Sequence, residues 1–151
     1  MDIEKIKTEI RDIIDKLGFV DELESINSFQ GVTSRFSVQL HGEANALIGE
    51  HGNNLAALEY VLKRLIRKKY GEDIKFTLDI NDYRMKRLES LKYDVRSAAK
   101  EVRLYQKAVP LRPMSSFERR IVHLLLAEYP DITTESMGEE PERRVVIKPY
   151  P

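Results

Sequence analysis

Two short arrangements of residues in this chain have the types and spacing to do chemistry. The first is Ile48-Gly49-Glu50-His51-Gly52. A G-x-x-G loop lets the backbone reach conformations closed to other residues, and the missing Cβ atoms let a ligand come close. Asn53 follows and opens an apolar-periodic helix, whose unpaired N–H groups and dipole favour a phosphate. The second is Arg119-Arg120-Ile121-Val122-His123. An arginine and a histidine four apart stack on one face of a helix. The guanidinium is a permanently charged fork for phosphate, and an exposed imidazole can donate or stack beside it. Each spacing also has a plain reading: a helix–helix turn in one case, a surface arginine with a satisfied histidine in the other. Their weight depends on the elements that hold them.

Other chemistries find little footing. The chain has no cysteine, which excludes disulfides, thiolate zinc sites and a cysteine nucleophile. Its histidines are His41, His51 and His123, without an H-x-H or H-E-x-x-H cluster, so no metal site and no cofactor is expected. Glu50 and His51 could in principle do acid–base work, but a polar loop tip is the simpler reading. No catalytic residue and no small-molecule substrate is expected. No apolar run approaches the roughly 20 residues of a membrane span, and MDIEKIKTEI is charged throughout, with no secretory apolar core. A cytoplasmic protein without membrane insertion is the expectation.

Periodicity supplies the elements. Ile3, Ile6, Ile10, Ile13, Ile14 and Leu17 predict an amphipathic helix over Asp2–Leu17, ended by Gly18. Phe19–Asn27 and Thr33–Leu40 read as strands joined through Gln30-Gly31, the second alternating Phe36, Val38 and Leu40 with polar residues. Ala44–Ile48 is a short apolar turn before the G-x-x-G loop. A helix with Leu55, Leu58, Leu62, Leu65 and Ile66 on one face follows, ending in a basic turn and Gly71, and a third strand spans Ile74–Ile80. The order is helix, strand, strand, helix, helix, strand.

Asn81 is the expected N-cap of a long helix reaching about Lys107. Its apolar stripe is Met85, Leu88, Leu91, Val95, Ala98, Val102 and Tyr105. Lys92, Arg96, Lys100, Arg103 and Lys107 share a neighbouring face, either a solvated surface or a stripe that tracks a nucleic-acid backbone. Beyond a proline-rich stretch, Ser115 and Glu118 stand in a capping-box arrangement that starts a helix running to about Tyr129. Two short strands, near Ile132–Ser136 and Arg143–Lys148, turn through Met137–Pro141. Tyr60, Tyr70, Tyr83, Tyr93 and Tyr105 are spread over helices, where tyrosines pack more often than they stack on bases.

The formal net charge is zero, but it is unevenly distributed. Residues 1–80 hold 11 Lys/Arg against 14 Asp/Glu, and residues 81–151 hold 14 against 11. The basic excess therefore falls in the half that carries Arg119 and His123.

The loop in its run of elements, with Ala46-Leu47-Ile48-Gly49, Gly52, Leu55 and Leu58, resembles a type II KH domain. The segment from Pro113-Met114 through Arg119-Arg120-Ile121-Val122-His123, then Gly138-Glu139-Glu140-Pro141 and Arg143-Arg144-Val145-Val146-Ile147, resembles the R-three-H domain. The two in succession look like the Jag family, also called SpoIIIJ-associated protein, of bacteria. That resemblance implies an α+β fold of two small domains: a type II KH-like domain (α-β-β-α-α-β) over residues 1–80 and an R-three-H core, a short β-sheet with helices, over 108–151. A long helix over 81–107 is expected to join them. The implied activity is non-catalytic binding of single-stranded RNA or DNA, RNA by preference, with a possible regulatory role.

By motif matching, Gly49 and Gly52 would clamp the strand's backbone, with Ile48, Glu50, His51 and Asn53 around them, and Ile48 and the following helix would line an apolar groove for bases. Arg119 and His123 would face outward and hold phosphates, helped by Arg112, Arg120 and Arg143. The family's loop is basic at its centre, whereas Glu50 repels phosphate, so most electrostatic affinity is expected from the C-terminal half. Functions tied to the N-terminal Jag-N segment that many members carry are not expected here. The alternative, favoured by Glu50, is a protein-interaction adaptor, with a protein partner or a homodimer, whose KH domain has lost RNA binding.

Overall fold

The computed structural model describes residues 2–151, and its elements follow from the patterns above with instructive departures. Asp2 caps the first helix, α1 (Ile3–Lys16), by accepting a hydrogen bond from the Glu4 N–H at 2.9 Å. Strand β1 (Leu23–Phe29) begins later than Phe19, because Val20–Glu22 form a single helical turn first. It pairs antiparallel with β2 (Ser34–Leu40). The short helix α2 (Asn45–Ile48), the loop and α3 (Asn53–Tyr70) lead into β3 (Phe76–Ile80), which pairs parallel with β2. The sheet order is β1-β2-β3.

One face of this sheet is covered by the inner faces of α1 and α3. Ile10, Ile14, Phe36, Leu55, Leu62, Ile66, Phe76 and Leu78 are essentially inaccessible, each contributing about 1.5–3 kcal/mol by burial. Phe36 and Phe76 meet edge to face with centroids 5.6 Å apart. Glu9 is buried beside this core and is satisfied by Lys69 Nζ at 2.6 Å and the Tyr70 hydroxyl at 3.0 Å. Leu65, expected on the inner face of α3, instead stands exposed with Tyr60 and Val61. Tyr93 and Tyr105 are exposed as well, so packing accounts for Tyr70 and Tyr83 but not for those three tyrosines.

Asn81 is not the cap of the long helix α4 (Tyr83–Tyr105). Asn81 and Asp82 both adopt left-handed backbone (φ 50° and 56°), and the Asn81 side-chain carbonyl oxygen accepts the Leu40 N–H at 2.8 Å. The cap is Asp79, buried at the end of β3, whose Oδ1 accepts the N–H groups of Ile80 and Arg84. The helix ends at Tyr105, where Gln106 turns left-handed.

The chain divides into two compact units, one extending to Met85 and the other starting at Lys86. Most of α4 thus lies in the second unit, where Leu91, Val95, Ala98, Ala99 and Val102 enter the core and Met85 and Tyr105 remain exposed. The rest of that unit is β4 (Val109–Pro110), α5 (Ser116–Leu126), β5 (Ile132–Met137) and β6 (Arg144–Pro149). Its sheet is antiparallel with order β4-β6-β5. The proline-rich stretch thus provides a two-residue edge strand, where a proline's missing N–H does no harm. Ser115 caps α5, its Oγ accepting the Glu118 N–H at 3.2 Å. Glu118 does not complete the reciprocal box and instead binds Arg87 of α4 at 2.7 and 3.0 Å. No helix among the described residues is long and apolar enough to cross a membrane.

Candidate nucleic-acid interface

The loop between α2 and α3 has a shape that its residues enforce. Gly49 and Gly52 are left-handed (φ 75° and 77°), and His51 between them is too (φ 56°). A Cβ on Gly49 would lie 2.6 Å from Asn54 Cγ and 2.8 Å from the Asn54 backbone nitrogen. Asn54 is itself tied back to the Ala46 carbonyl at 2.9 Å. A Cβ on Gly52 would lie 2.9 Å from a ring carbon of Tyr83. Both glycines are required by conformation and by close approach together. No side chain caps the first turn of α3, whose N-cap is Gly52.

Around the loop the side chains diverge. Glu50 is 75% exposed and Asn53 is exposed. His51 is mostly covered, and its Nε2 is buried, 3.7 Å from Glu50 Oε1 and without a hydrogen-bond partner among the described residues. Ile48 is packed in the core of the first unit. At 8% exposure it offers little surface to the apolar groove for bases expected beside the loop.

In the second unit Arg119 and His123 do lie on one side of α5, but the arginine faces inward. Its side chain is only 9% exposed. Nη1 donates to the Met114 carbonyl at 2.7 Å, and Nη2 pairs with Glu140 Oε1 at 2.9 Å. The expectation that Arg119 faces outward to hold a phosphate therefore does not hold: a guanidinium removed from water needs these partners. His123 is half-buried and hangs between two hydroxyls of β5, with Nδ1 2.6 Å from Thr134 Oγ1 and Nε2 3.0 Å from Ser136 Oγ. The pair fastens α5 to the entry segment, to the β5–β6 turn and to β5.

Residues 88–149 match the R-three-H domain family. The chain is 36% identical over 112 residues to the RNA-binding protein KhpB of Clostridium symbiosum, covering 74% of this chain and 50% of that protein. It is 33% identical over 135 residues to KhpB of Lactiplantibacillus plantarum (89% and 41%). With KhpB of Bacillus subtilis it is 38% identical over 119 residues (76% and 57%). The chain belongs to the Jag family. It spans about half the length of the relatives it matches.

Within this R-three-H domain the other expected arginines differ sharply. Arg112 is exposed and paired with Asp94 of α4. Arg143 is half-buried and donates to the Gly138 carbonyl at 2.6 Å, bracing the β5–β6 turn. Arg120 is exposed and makes no ion pair or hydrogen bond among the described residues. Beside it on the outer face of α5 stand Phe117 (70% exposed) and Leu124 (67% exposed), three and four residues away. Sequence reasoning missed both. The one available signal was their shared spacing with Arg120, opposite the buried Glu118, Val122 and Leu126.

Charge on the β5–β6 hairpin and its approach is locally balanced. Hydrogen bonds from Arg103 hold Asp131 below the ordinary carboxylate range, against a smaller opposing effect of burial. Lys148 does the same for Glu135. Arg120 has no such neutralising partner.

Proposed function

We propose that this chain binds single-stranded nucleic acid, RNA by preference, and performs no catalysis on it. The observation that carries this reading is the outer face of α5, where Phe117, Arg120 and Leu124 stand exposed together. An uncompensated guanidinium beside an exposed aromatic ring offers a phosphate contact and a stacking surface at once. Arg119 and His123 act here as positioning residues: by fastening the inner side of α5 they aim Arg120 and Phe117 at solvent. Arg112 and Arg143 each keep further donors for phosphate oxygens beyond the bonds they already make. The R-three-H match and the relatives' name, RNA-binding protein KhpB, support the same reading.

The first unit would serve as a KH-like module. Its helix, strand, strand, helix, helix, strand order and its G-x-x-G turn at the open start of α3 support that. Gly49 and Gly52 would admit the sugar–phosphate backbone, with Asn53 at the rim. Glu50 opposes a phosphate there, so the R-three-H domain supplies most of the electrostatic affinity. Two such sites on one chain raise avidity if a single strand reaches both. A cytoplasmic site of action and a regulatory role belong to the same proposal.

The test is a titration of mixed-sequence single-stranded RNA against the wild-type chain and the Phe117→Ala/Arg120→Ala variant. The reading expects at least a tenfold loss of affinity, since stacking on one base is worth about 1–3 kcal/mol. Equal affinity would overturn it. The exposed Glu50 carboxylate favours a second reading, a protein adaptor whose first unit has lost nucleic-acid binding. A chain that purifies free of nucleic acid and binds neither RNA nor DNA would favour that one.

A further inference from the structure

We infer that the outward face of α4 and Tyr129 form a second single-stranded RNA contact within the R-three-H domain, an inference that rests on the binding function proposed above. A groove of about 510 Å³ is lined by Arg96, Ala99, Lys100, Arg103, Leu104 and Tyr129. Ala99 is buried and forms the floor, while Leu104 is 67% exposed. The apolar surface and the cations alternate because they recur along one side of the helix.

Arg103 is tied down from two directions. Its Nε and Nη2 each donate to a different oxygen of Asp131 at 2.8 Å. Its guanidinium carbon lies 4.8 Å from the centroid of the Tyr129 ring, and that ring packs on the core of the second unit. The fork is thus occupied by a carboxylate and one planar face is covered by an aromatic ring. The side chain is still 48% exposed. The surface left to a ligand is a flat, ring-backed guanidinium plane. Such a plane stacks with a nucleobase, whereas the carboxylates of an acidic peptide have no flat surface to lay on it.

The phosphates of that strand would fall to Arg96 and Lys100. Both are exposed, and neither makes an ion pair or hydrogen bond among the described residues. Lys92, one turn earlier, lies 3.9 Å from Glu89 and is partly neutralised. With Arg103 compensated by Asp131, the groove carries two uncompensated charges from Arg96 and Lys100. The occupant is therefore an unpaired nucleotide segment, its base on Arg103 and Leu104 and its flanking phosphates on the other two cations. A duplex, whose bases are already stacked, could not use the plane.

The experiment is an anisotropy titration of the full chain with mixed-sequence single-stranded RNA across a salt series. It compares wild type with Arg96→Ala/Lys100→Ala and with Arg103→Lys. The double variant should bind about tenfold more weakly, with a slope of log K against log salt shallower by about 1.4, or 0.7 per phosphate. Arg103→Lys keeps the charge and deletes the plane, so affinity should fall about fivefold while the slope stays that of wild type. Failure of the wild type to bind would overturn the binding reading and this inference with it. Binding by the wild type with unchanged affinity and slope in the double variant would overturn this inference alone. Polyglutamate competing as well as RNA at this groove would overturn the choice of nucleic acid as its ligand.

Discussion

Arg119 of α5 and Glu140 of the β5–β6 turn form an ion pair 2.9 Å long with very unequal ends: the arginine side chain is 9% exposed and the carboxylate 60%. The arginine also satisfies the Met114 carbonyl, so it joins three segments of the second unit through one side chain. Its neighbour Arg120 has the same chemistry and points into solvent. Adjacent positions on a helix are about 100° apart, enough to separate a fastening from a contact.

Arg119→Ala should therefore destabilise the second unit by about 2 kcal/mol, because it orphans the Met114 carbonyl and opens a cavity, while the exposed Glu140 carboxylate returns to water. Arg120→Ala should stay within about 0.5 kcal/mol of wild type while weakening RNA binding. Urea unfolding and RNA titration of the two variants check this. Equal stability losses would mean that Arg119 is not the fastening described.

His123, Thr134 and Ser136 should behave as one unit. His123→Ala and a Thr134→Val/Ser136→Ala variant remove the same two hydrogen bonds, each worth about 1 kcal/mol. Combining them should cost less than the sum, with a coupling of about 2 kcal/mol, the two shared bonds, in a double-mutant cycle of unfolding free energies. Additive losses would contradict the geometry.

The two loop glycines should differ in their tolerance of alanine. Both have positive φ, so each substitution is strained by more than about 1 kcal/mol, and Gly49, with ψ 174°, sits where essentially only glycine goes. At Gly49 the new Cβ also meets a backbone nitrogen of Asn54, whereas at Gly52 it meets the edge of the Tyr83 ring. Side chains yield more easily than backbone. Thermal midpoints should fall further for Gly49→Ala than for Gly52→Ala, and the reverse order would contradict the account.

Acid should loosen the second unit through Asp131 and Glu135. Both carboxylates are held below their ordinary range, chiefly by hydrogen bonds from Arg103 and Lys148 respectively. A depressed folded pKa adds stability that is complete above the unfolded value and is lost as pH falls through the folded one. Stability should therefore decline below about pH 4, modestly, since both pairs are open to solvent. Asp131→Asn should flatten that decline in pH-dependent unfolding, and an unaltered profile would contradict the assignment.

The sequence was readable where periodicity and backbone demands coincide. The isoleucines of α1, the alternation in β2 and the paired glycines before Leu55 each point to one structure. Asn81 misled because asparagine caps helices well, yet the end of β2 needed its side chain for the Leu40 N–H, and Asp79 took the capping role from inside the sheet. On α5 the apolar residues run all round, through Phe117, Ile121, Val122, Leu124, Leu125 and Leu126, so no stripe marks the inner face. The buried side even carries Glu118 and Arg119. The arginine that turned inward is the one met by the Met114 carbonyl and Glu140, and nothing in residue type announces that.

The central claim is that uncompensated cations beside exposed apolar side chains hold an unpaired RNA strand. Its most direct test is the equilibrium affinity of the wild-type chain for single-stranded RNA, and for DNA of the same sequence, across a range of salt. The account predicts saturable binding, tighter for RNA, with log K falling linearly in log salt by about 0.7 for each phosphate held. No saturable binding at the lowest salt, or an affinity indifferent to salt, would contradict it.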